Sequence, residues 1–176
     1  MASLRTTYVS LITAIPFLSL RKRLVAESVS TSVKGMIIEP MEERHLRECH
    51  RLNFQLGYDT SYEEFAGRFE LIRRREDHLL CIGLLSGEVG GWMHVQDMFM
   101  LERENGAQIA SIVVDERVRG QGVGKALLAH GENWAKSRGH AEVFLSSNLT
   151  RAESHKFYER AGYLSTKQSK IYFKKI

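Results

Sequence analysis

The chain has 176 residues, which is the size of one ordinary domain, and its composition of 43% hydrophobic and 26% charged residues with two prolines excludes collagen-like and low-complexity classes. The net charge is +4, but residues 1–35 contain five basic residues and one acidic residue, so the rest of the chain holds 20 of each sign and is neutral. We therefore expect a globular domain without a nucleic-acid partner.

Residues 1–35 differ in composition from the rest of the chain. They are rich in Ser and Thr, and an apolar run over 8–20 ends in the basic cluster RKR over 21–23. The run is too short to span a bilayer, although its length suits a signal sequence and its basic composition suits an organellar presequence. We interpret residues 1–35 as an extension, disordered or targeting, ahead of one domain over 36–176, and we expect a cytoplasmic protein.

The first half of this domain is predicted to form a strand, two helices and a hairpin. Apolar residues recur at helical spacing after the first β-branched stretch. Ser61 followed by Glu64 is a capping box, which predicts where the second helix begins. The predicted bounds are 36–41 for the strand, 42–55 and 61–75 for the helices, and 78–85 and 89–98 for the arms of the hairpin.

The second half adds a third β segment over 108–115 and then alternates helices and strands. The predicted helices are 122–137 and 151–160, and the predicted strands are 141–147, 163–166 and 170–174. The resulting order is β-α-α-β-β-β-α-β-α-β-β. It predicts an α/β fold, with a central mixed sheet of six or seven strands and helices on both faces.

The most informative stretch is the glycine-rich turn that joins the third β segment to the next helix, with the sequence RGQGVGKA over 119–126. Glycines let the backbone approach a ligand closely, and the backbone N–H groups of a helix start favour an anion, so a phosphate is expected here. A dinucleotide fingerprint starting at Gly120 fails because Lys125 stands where glycine is needed. A Walker A loop fails because Arg119 and Ala126 replace the required glycine and hydroxyl residue.

The motif Arg119-x-x-Gly122-x-Gly124 resembles the acyl-CoA pyrophosphate loop of the GNAT superfamily of acyl-CoA N-acyltransferases. A second stretch, RAESHKFYERAGY over 151–163, is similar to the second signature of that superfamily. The predicted element order is also that of the superfamily, so the resemblance covers about residues 36–176. It implies a single GNAT-like domain that uses acetyl-CoA.

The resemblance also implies a role for particular residues. Tyr158 matches the tyrosine that protonates the departing thiolate, and a phenol with a pKa near 10 suits this task. The strand over 141–147 is expected to splay from its neighbour and leave a gap for the arm of acetyl-CoA. The residues assigned to acetyl-CoA are Ile112, Val113 and Val114 on the strand, Arg119, Gly120, Gln121, Gly122, Val123, Gly124 and Lys125 in the loop, and Asn148 and Ser154 beyond the next strand.

The predicted activity is N-acetylation of a primary amine of a small molecule by direct transfer from acetyl-CoA. Two alternatives stay open: a protein or peptide N-acetyltransferase, and a non-catalytic acyl-CoA-binding regulatory module. Many relatives carry a glutamate base on the strand before the loop, where Gln108, Ala110 and Ser111 stand here. The missing glutamate favours the regulatory module, and Tyr158 disfavours it. The remaining candidates for a base are His94, Asp97 and Glu102.

Metal chemistry is not expected. Cys49 and Cys81 lie in apolar stretches without CxxC spacing, which excludes a zinc knuckle and predicts buried, reduced thiols. The histidines lack metal-ligand spacing. The expected partner is a small-molecule amine, with neither nucleic acid nor a membrane, and a homodimer stays open.

Overall fold

Most of the predicted elements form and are arranged around one open sheet in the computed structural model, which describes residues 35–102 and 104–176. The predicted extension, apart from Gly35, lies outside the described residues. Short 3-10 turns precede the first helix and follow the fourth strand, at Glu43–His45 and Glu116–Val118. The main elements are β1 (Met36–Pro40), α1 (Leu46–Gln55), α2 (Tyr62–Ile72), β2 (His78–Leu85), β3 (Glu88–Met98), β4 (Gly106–Val114), α3 (Val123–Ser137), β5 (Glu142–Leu145) and α4 (Ala152–Arg160).

The strands lie in the order β1-β2-β3-β4-β5, which follows their order along the chain. The first four are antiparallel, and β5 runs parallel to β4. The hairpin of β2 and β3 turns through Ser86 and Gly87, which have φ values of 53° and 86°. Two consecutive left-handed residues give a turn whose twist matches that of the flanking strands.

A bulge in β4 changes the face that its side chains take. His94 of β3 lies opposite Ser111, and Ala110 is the extra residue that interrupts the ladder just before it. Ile109 packs into the core on the α3 side, whereas Val113 packs into the core on the side of α1 and α2. The bulge therefore brings Ser111 and Val113 to the same side as the first two helices.

Each face of the sheet has its own hydrophobic core. Helix α3 covers one face through Val123, Leu127 and Leu128, and helices α1 and α2 cover the other through residues that include Leu52 and Phe69. The two cysteines are free and buried, as predicted. No helix in the described part of the chain is long and apolar enough to cross a bilayer.

The two last strands predicted from the sequence, 163–166 and 170–174, are wrong, and over the residues that the structure describes the sheet has five strands rather than six or seven. Residues 161–176 form no ladder with any described strand. Their β-prone side chains remain exposed, with Leu164 at 87% and Phe173 at 93% of full exposure. Strand propensity reflects packing against neighbouring strands, and a stretch without a paired edge does not become a strand.

Candidate functional site

The glycine-rich loop lies between the carboxyl end of β4 and the start of α3. Gly120 and Gly122 have φ values of 79° and 91°, a backbone conformation that residues other than glycine rarely adopt. Gly122 is the residue that precedes α3, and no side chain caps this helix start. The first backbone N–H groups of α3 have no partner inside the helix, so they are available to an anion.

Helix α4 packs directly on the first turn of α3. A Cβ atom built on Gly124 would lie 3.0 Å from Cζ of Phe157 and 3.3 Å from Cγ2 of Val114. Only glycine lets β4, α3 and α4 approach this closely. The packing brings the second predicted signature, which includes Tyr158, against the loop of the first.

The strand β5 separates from β4 just before the loop. Pairing between the two strands covers Gly106 to Ile109 on β4 and ends at Leu145 on β5. Within the described residues, no part of β5 pairs with Ser111–Val114. The gap predicted between these strands therefore exists, and one edge of the β4 backbone faces it beside Ile112, Val113 and Val114.

Tyr158 lies on α4, with its ring packed between those of Phe157 and Tyr163 at centroid distances of 5.3 and 6.1 Å. Burial raises the pKa of Tyr158, and the nearby charge of Arg151 opposes this effect only in part. The phenol therefore keeps its proton at neutral pH. The side chain is half-buried rather than sealed in the core.

The other residues predicted to hold the donor surround the same region but differ in exposure. Arg119 donates from Nε to the carbonyl oxygen of Val114 at 3.4 Å, and Lys125 is exposed on the first turn of α3. Asn148 is exposed in the β5–α4 loop, where its Oδ1 accepts from the Thr150 N–H at 3.0 Å. Ser154 is half-buried on α4.

A buried carboxylate that was not predicted from the sequence, that of Asp115, lies between the end of β4 and the glycine-rich loop. Asp115 is 1% exposed and accepts hydrogen bonds from Arg117 and from Arg51 of α1. The Arg117 side chain, followed by its backbone N–H and by Arg51, holds the pKa of Asp115 well below its usual range despite burial. Arg51 lies 64 residues away, so no local sequence pattern reveals the pair.

A cavity of about 180 Å³ opens between the sheet and the first two helices. Ser111 of β4 lies in the wall of this cavity. It directly precedes Ile112–Val114, which border the gap between β4 and β5. The cavity is therefore adjacent to the predicted donor site and separate from the loop. Its other lining residues include Asn53, Tyr58, Thr60, Phe65, Arg68, Leu80, Trp92 and His94.

The model of the Acetyltransferase (GNAT) family matches residues 41–163. The chain belongs to the GNAT family. This confirms the family predicted from the two signatures, and enzymes of the family use acetyl-CoA as the donor of the acetyl group.

Relatives agree with this assignment. The aminoalkylphosphonate N-acetyltransferase of Salmonella typhimurium is 34% identical over 128 residues, which cover 72% of this chain and 79% of the relative. The glucosamine 6-phosphate N-acetyltransferase of Arabidopsis thaliana is 32% identical over 107 residues, 57% of this chain and 68% of the relative. The GNAT protein described here is thus an acetyl-CoA-dependent N-acetyltransferase.

A solved structure shows the same fold. The aminoglycoside N-acetyltransferase AAC(6')-Iy in complex with CoA superimposes with a TM-score of 0.72 at 21% identity, covering 80% of this chain and 95% of that one. At this identity the comparison supports the fold alone. The open sheet with helices on both faces is the GNAT arrangement.

Proposed function

We propose that this GNAT protein transfers the acetyl group of acetyl-CoA directly to the primary amine of a small molecule. The observation that carries the proposal is that the open edge of β4 and the cavity border the same stretch of that strand. Ile112–Val114 border the gap beside the glycine-rich loop, and Ser111 lines the cavity on the side of α1 and α2. An amine in the cavity and an acyl donor in the gap would approach each other across one strand.

The residues around the loop fit acetyl-CoA. The backbone N–H groups from Gly120 to Lys125 would hold the pyrophosphate, with added charge from Arg119 and Lys125. The backbone of Ile112–Val114 along the open edge of β4 would hold the arm, with Asn148 and Ser154 near it. Acetyl-CoA supplies the activated thioester, and the chain supplies position and proton transfer.

Proton transfer requires an acid on the donor side and a base on the acceptor side. A primary ammonium group loses two protons on becoming an amide nitrogen; one proton ends on sulfur and one leaves to solvent. The Tyr158 hydroxyl would donate to the departing sulfur, and the second nitrogen proton would restore the phenol. A backbone N–H near Val113 would stabilise the oxyanion without help from a side chain.

The size and lining of the cavity favour a small acceptor that carries an anionic group. The relatives named above act on an aminoalkylphosphonate and on glucosamine 6-phosphate. Here Arg68 lies at the cavity. Its ion pair with Glu64 is long, with 4.0 Å between the nitrogen and the oxygen. A guanidinium group with a long, exposed ion pair can be recruited by a phosphonate or phosphate.

The test compares 2-aminoethylphosphonate with ethanolamine in a thiol-release assay. We expect turnover of the phosphonate, and Arg68→Gln should raise its KM at least tenfold while changing that of ethanolamine less than threefold. Arg74→Gln, on the exposed end beyond α2, is the matched control and should change neither. An equal effect of Arg68→Gln on both amines would contradict an anion subsite, and turnover of lysine peptides alone would favour the protein-directed alternative.

A further inference from the structure

Two histidines form a hydrogen-bonded pair on the face of the sheet that carries the acceptor cavity. His78 of β2 and His94 of β3 approach to 2.7 Å between Nδ1 of His78 and Nε2 of His94. Their rings are nearly parallel, with centroids 5.0 Å apart. Because Nε2 of His94 is engaged with His78, Nδ1 is the ring nitrogen left for another partner.

His94 is placed where an acceptor amine would lose its proton. It lines the cavity and lies directly opposite Ser111 in the β3–β4 ladder. The bulge at Ala110 keeps Ser111 on this face. The ring is thus next to the segment of β4 that borders the donor gap.

The other candidates for a base are placed less favourably. Asp97 accepts from Arg138 and from His140, and both contacts tie it to the carboxyl end of α3 rather than to the cavity. Glu102 is exposed in the segment after β3. Gln108, Ala110 and Ser111 offer no carboxylate on the strand before the loop.

We propose that His94 is the general base for the acceptor amine and that His78 relays the proton to solvent, an inference that rests on the proposed acetyltransferase function. His94 Nδ1 takes one proton from the ammonium group, and the proton on His94 Nε2 passes to His78 Nδ1. The proton on His78 Nε2 then leaves to water beside Asp77, whose Oδ1 lies 3.7 Å away. The nitrogen is left with a lone pair, and the uncharged histidines, now both protonated on Nδ1, return to their starting tautomers by proton exchange with water after the product leaves.

The surroundings keep both rings of the pair uncharged before an acceptor binds. Burial, together with the charge of His78, lowers the pKa of His94 to about 4, so its ring is neutral at physiological pH. Burial also lowers the pKa of His78, whereas Asp77 and Asp97 act to raise it and Arg75 acts to lower it. The remaining ionisable groups at the cavity are Arg68 of α2 and Tyr58 of the α1–α2 loop.

Two acceptor amines of different basicity distinguish a loss of proton removal from a structural effect of a substitution. 2-Aminoethylphosphonate binds as an ammonium ion, whereas 2-aminooxyethylphosphonate has a weakly basic nitrogen and arrives without the extra proton. We expect His94→Gln to lower kcat/KM about 10²-fold for the first amine and less than fivefold for the second. His78→Gln, which still accepts a hydrogen bond from His94 but cannot relay, should lower kcat/KM about tenfold for the first amine only. His130→Gln on α3 is the matched control and should change neither.

Two further measurements complete the test. Calorimetric affinity for acetyl-CoA should be the same in all four proteins, and ¹⁵N NMR of the unaltered protein at pH 7 should show neutral rings with the proton of His94 on Nε2. Equal losses with both amines, or less than threefold loss with the basic amine, would overturn the relay and leave the proposed function standing. Failure of the unaltered protein to acetylate the phosphonate, sugar phosphate and aminoglycoside amines alike would overturn the proposed function, and the relay with it.

Discussion

Arg51 Nη2 lies 2.6 Å from Oδ2 of Asp115, so helix α1 is tied to the end of β4 where the glycine-rich loop begins. The Asp115 carboxylate also accepts from the Arg117 side chain and backbone N–H. The Gln55 side chain accepts from the next backbone N–H, that of Glu116, at 3.0 Å. Together these bonds connect α1 to the start of the glycine-rich loop.

Asp115→Asn should lower the free energy of unfolding by about 1–3 kcal/mol, because it removes the charge that both arginines share in a buried position. Thermal melts at pH 7 measure the loss. Glu70→Gln, which alters an exposed carboxylate paired with Arg73, is the control and should change stability by less than about 0.5 kcal/mol. An equal effect of the two substitutions would contradict the role given to Asp115.

The lowered pKa of Asp115 also predicts that the folded protein loses stability at low pH. The folded protein depresses the pKa of Asp115, so the unfolded chain takes up the proton first, near its ordinary pKa of about 3.9. The contribution of Asp115 is complete well above that pH and is lost as the pH falls below about 4. Asp115→Asn should reduce the difference in melting temperature between pH 5 and pH 3.

Gly122 offers a test of the predicted pyrophosphate site. Asn and Asp both tolerate the left-handed backbone at this position and have the same size, so Gly122→Asn and Gly122→Asp differ mainly by one negative charge. We expect the Asp variant to bind acetyl-CoA at least tenfold more weakly than the Asn variant in calorimetry. Equal affinity of the two folded variants would remove the loop from the donor site.

Tyr158→Phe keeps the ring between Phe157 and Tyr163 and removes only the hydroxyl. Turnover should fall roughly 10²-fold, while affinity for acetyl-CoA stays within a few fold. Tyr163→Phe is the matched control: its hydroxyl donates to Glu132 at 3.0 Å, and we expect turnover to stay within twofold. Unaltered turnover in the Tyr158→Phe protein would show that water protonates the thiolate.

Residues 1–35 are predicted to be dispensable for catalysis, since they precede β1 and carry the whole net charge. A protein that begins at Met36 should bind acetyl-CoA normally. Among the bonds of the described residues, the truncation removes the one from the Ser86 N–H to the Gly35 carbonyl oxygen, and a version that begins at Gly35 keeps it. Aggregation, or a loss of several degrees of melting temperature in both versions, would show instead that the segment is structural.

The sequence predicted a helix or a hairpin correctly where a few adjacent residues determine it. The capping box forms, with Glu64 N–H donating to Ser61 Oγ at 3.1 Å, and the Ser86–Gly87 turn closes the hairpin. The last two strands failed because their formation depends on a partner edge, which propensity alone does not reveal. The glycine-rich loop and Tyr158 were predicted from motifs whose residues, like those of the hairpin, are adjacent in sequence.

The rest of the site depends on contacts between distant residues. The pairing of Arg51 with Asp115 spans 64 residues, and that of His78 with His94 spans 16 residues across a ladder. The first depends on how β4 continues after its bulge at Ala110, and the second depends on the register of β2 against β3. A bulge changes the face of every later residue on its strand, and no composition rule locates it.

The most direct test of the central claim is product analysis with the unaltered protein, acetyl-CoA and 2-aminoethylphosphonate. Mass spectrometry and thiol titration, followed over time, give the amount of N-acetylated amine and of free CoA thiol. The account predicts that both appear together in a one-to-one ratio and only when the amine is present. Tight binding of acetyl-CoA without amine-dependent thiol release, across the phosphonate, sugar phosphate and aminoglycoside amines, would contradict it and favour a non-catalytic acyl-CoA-binding module.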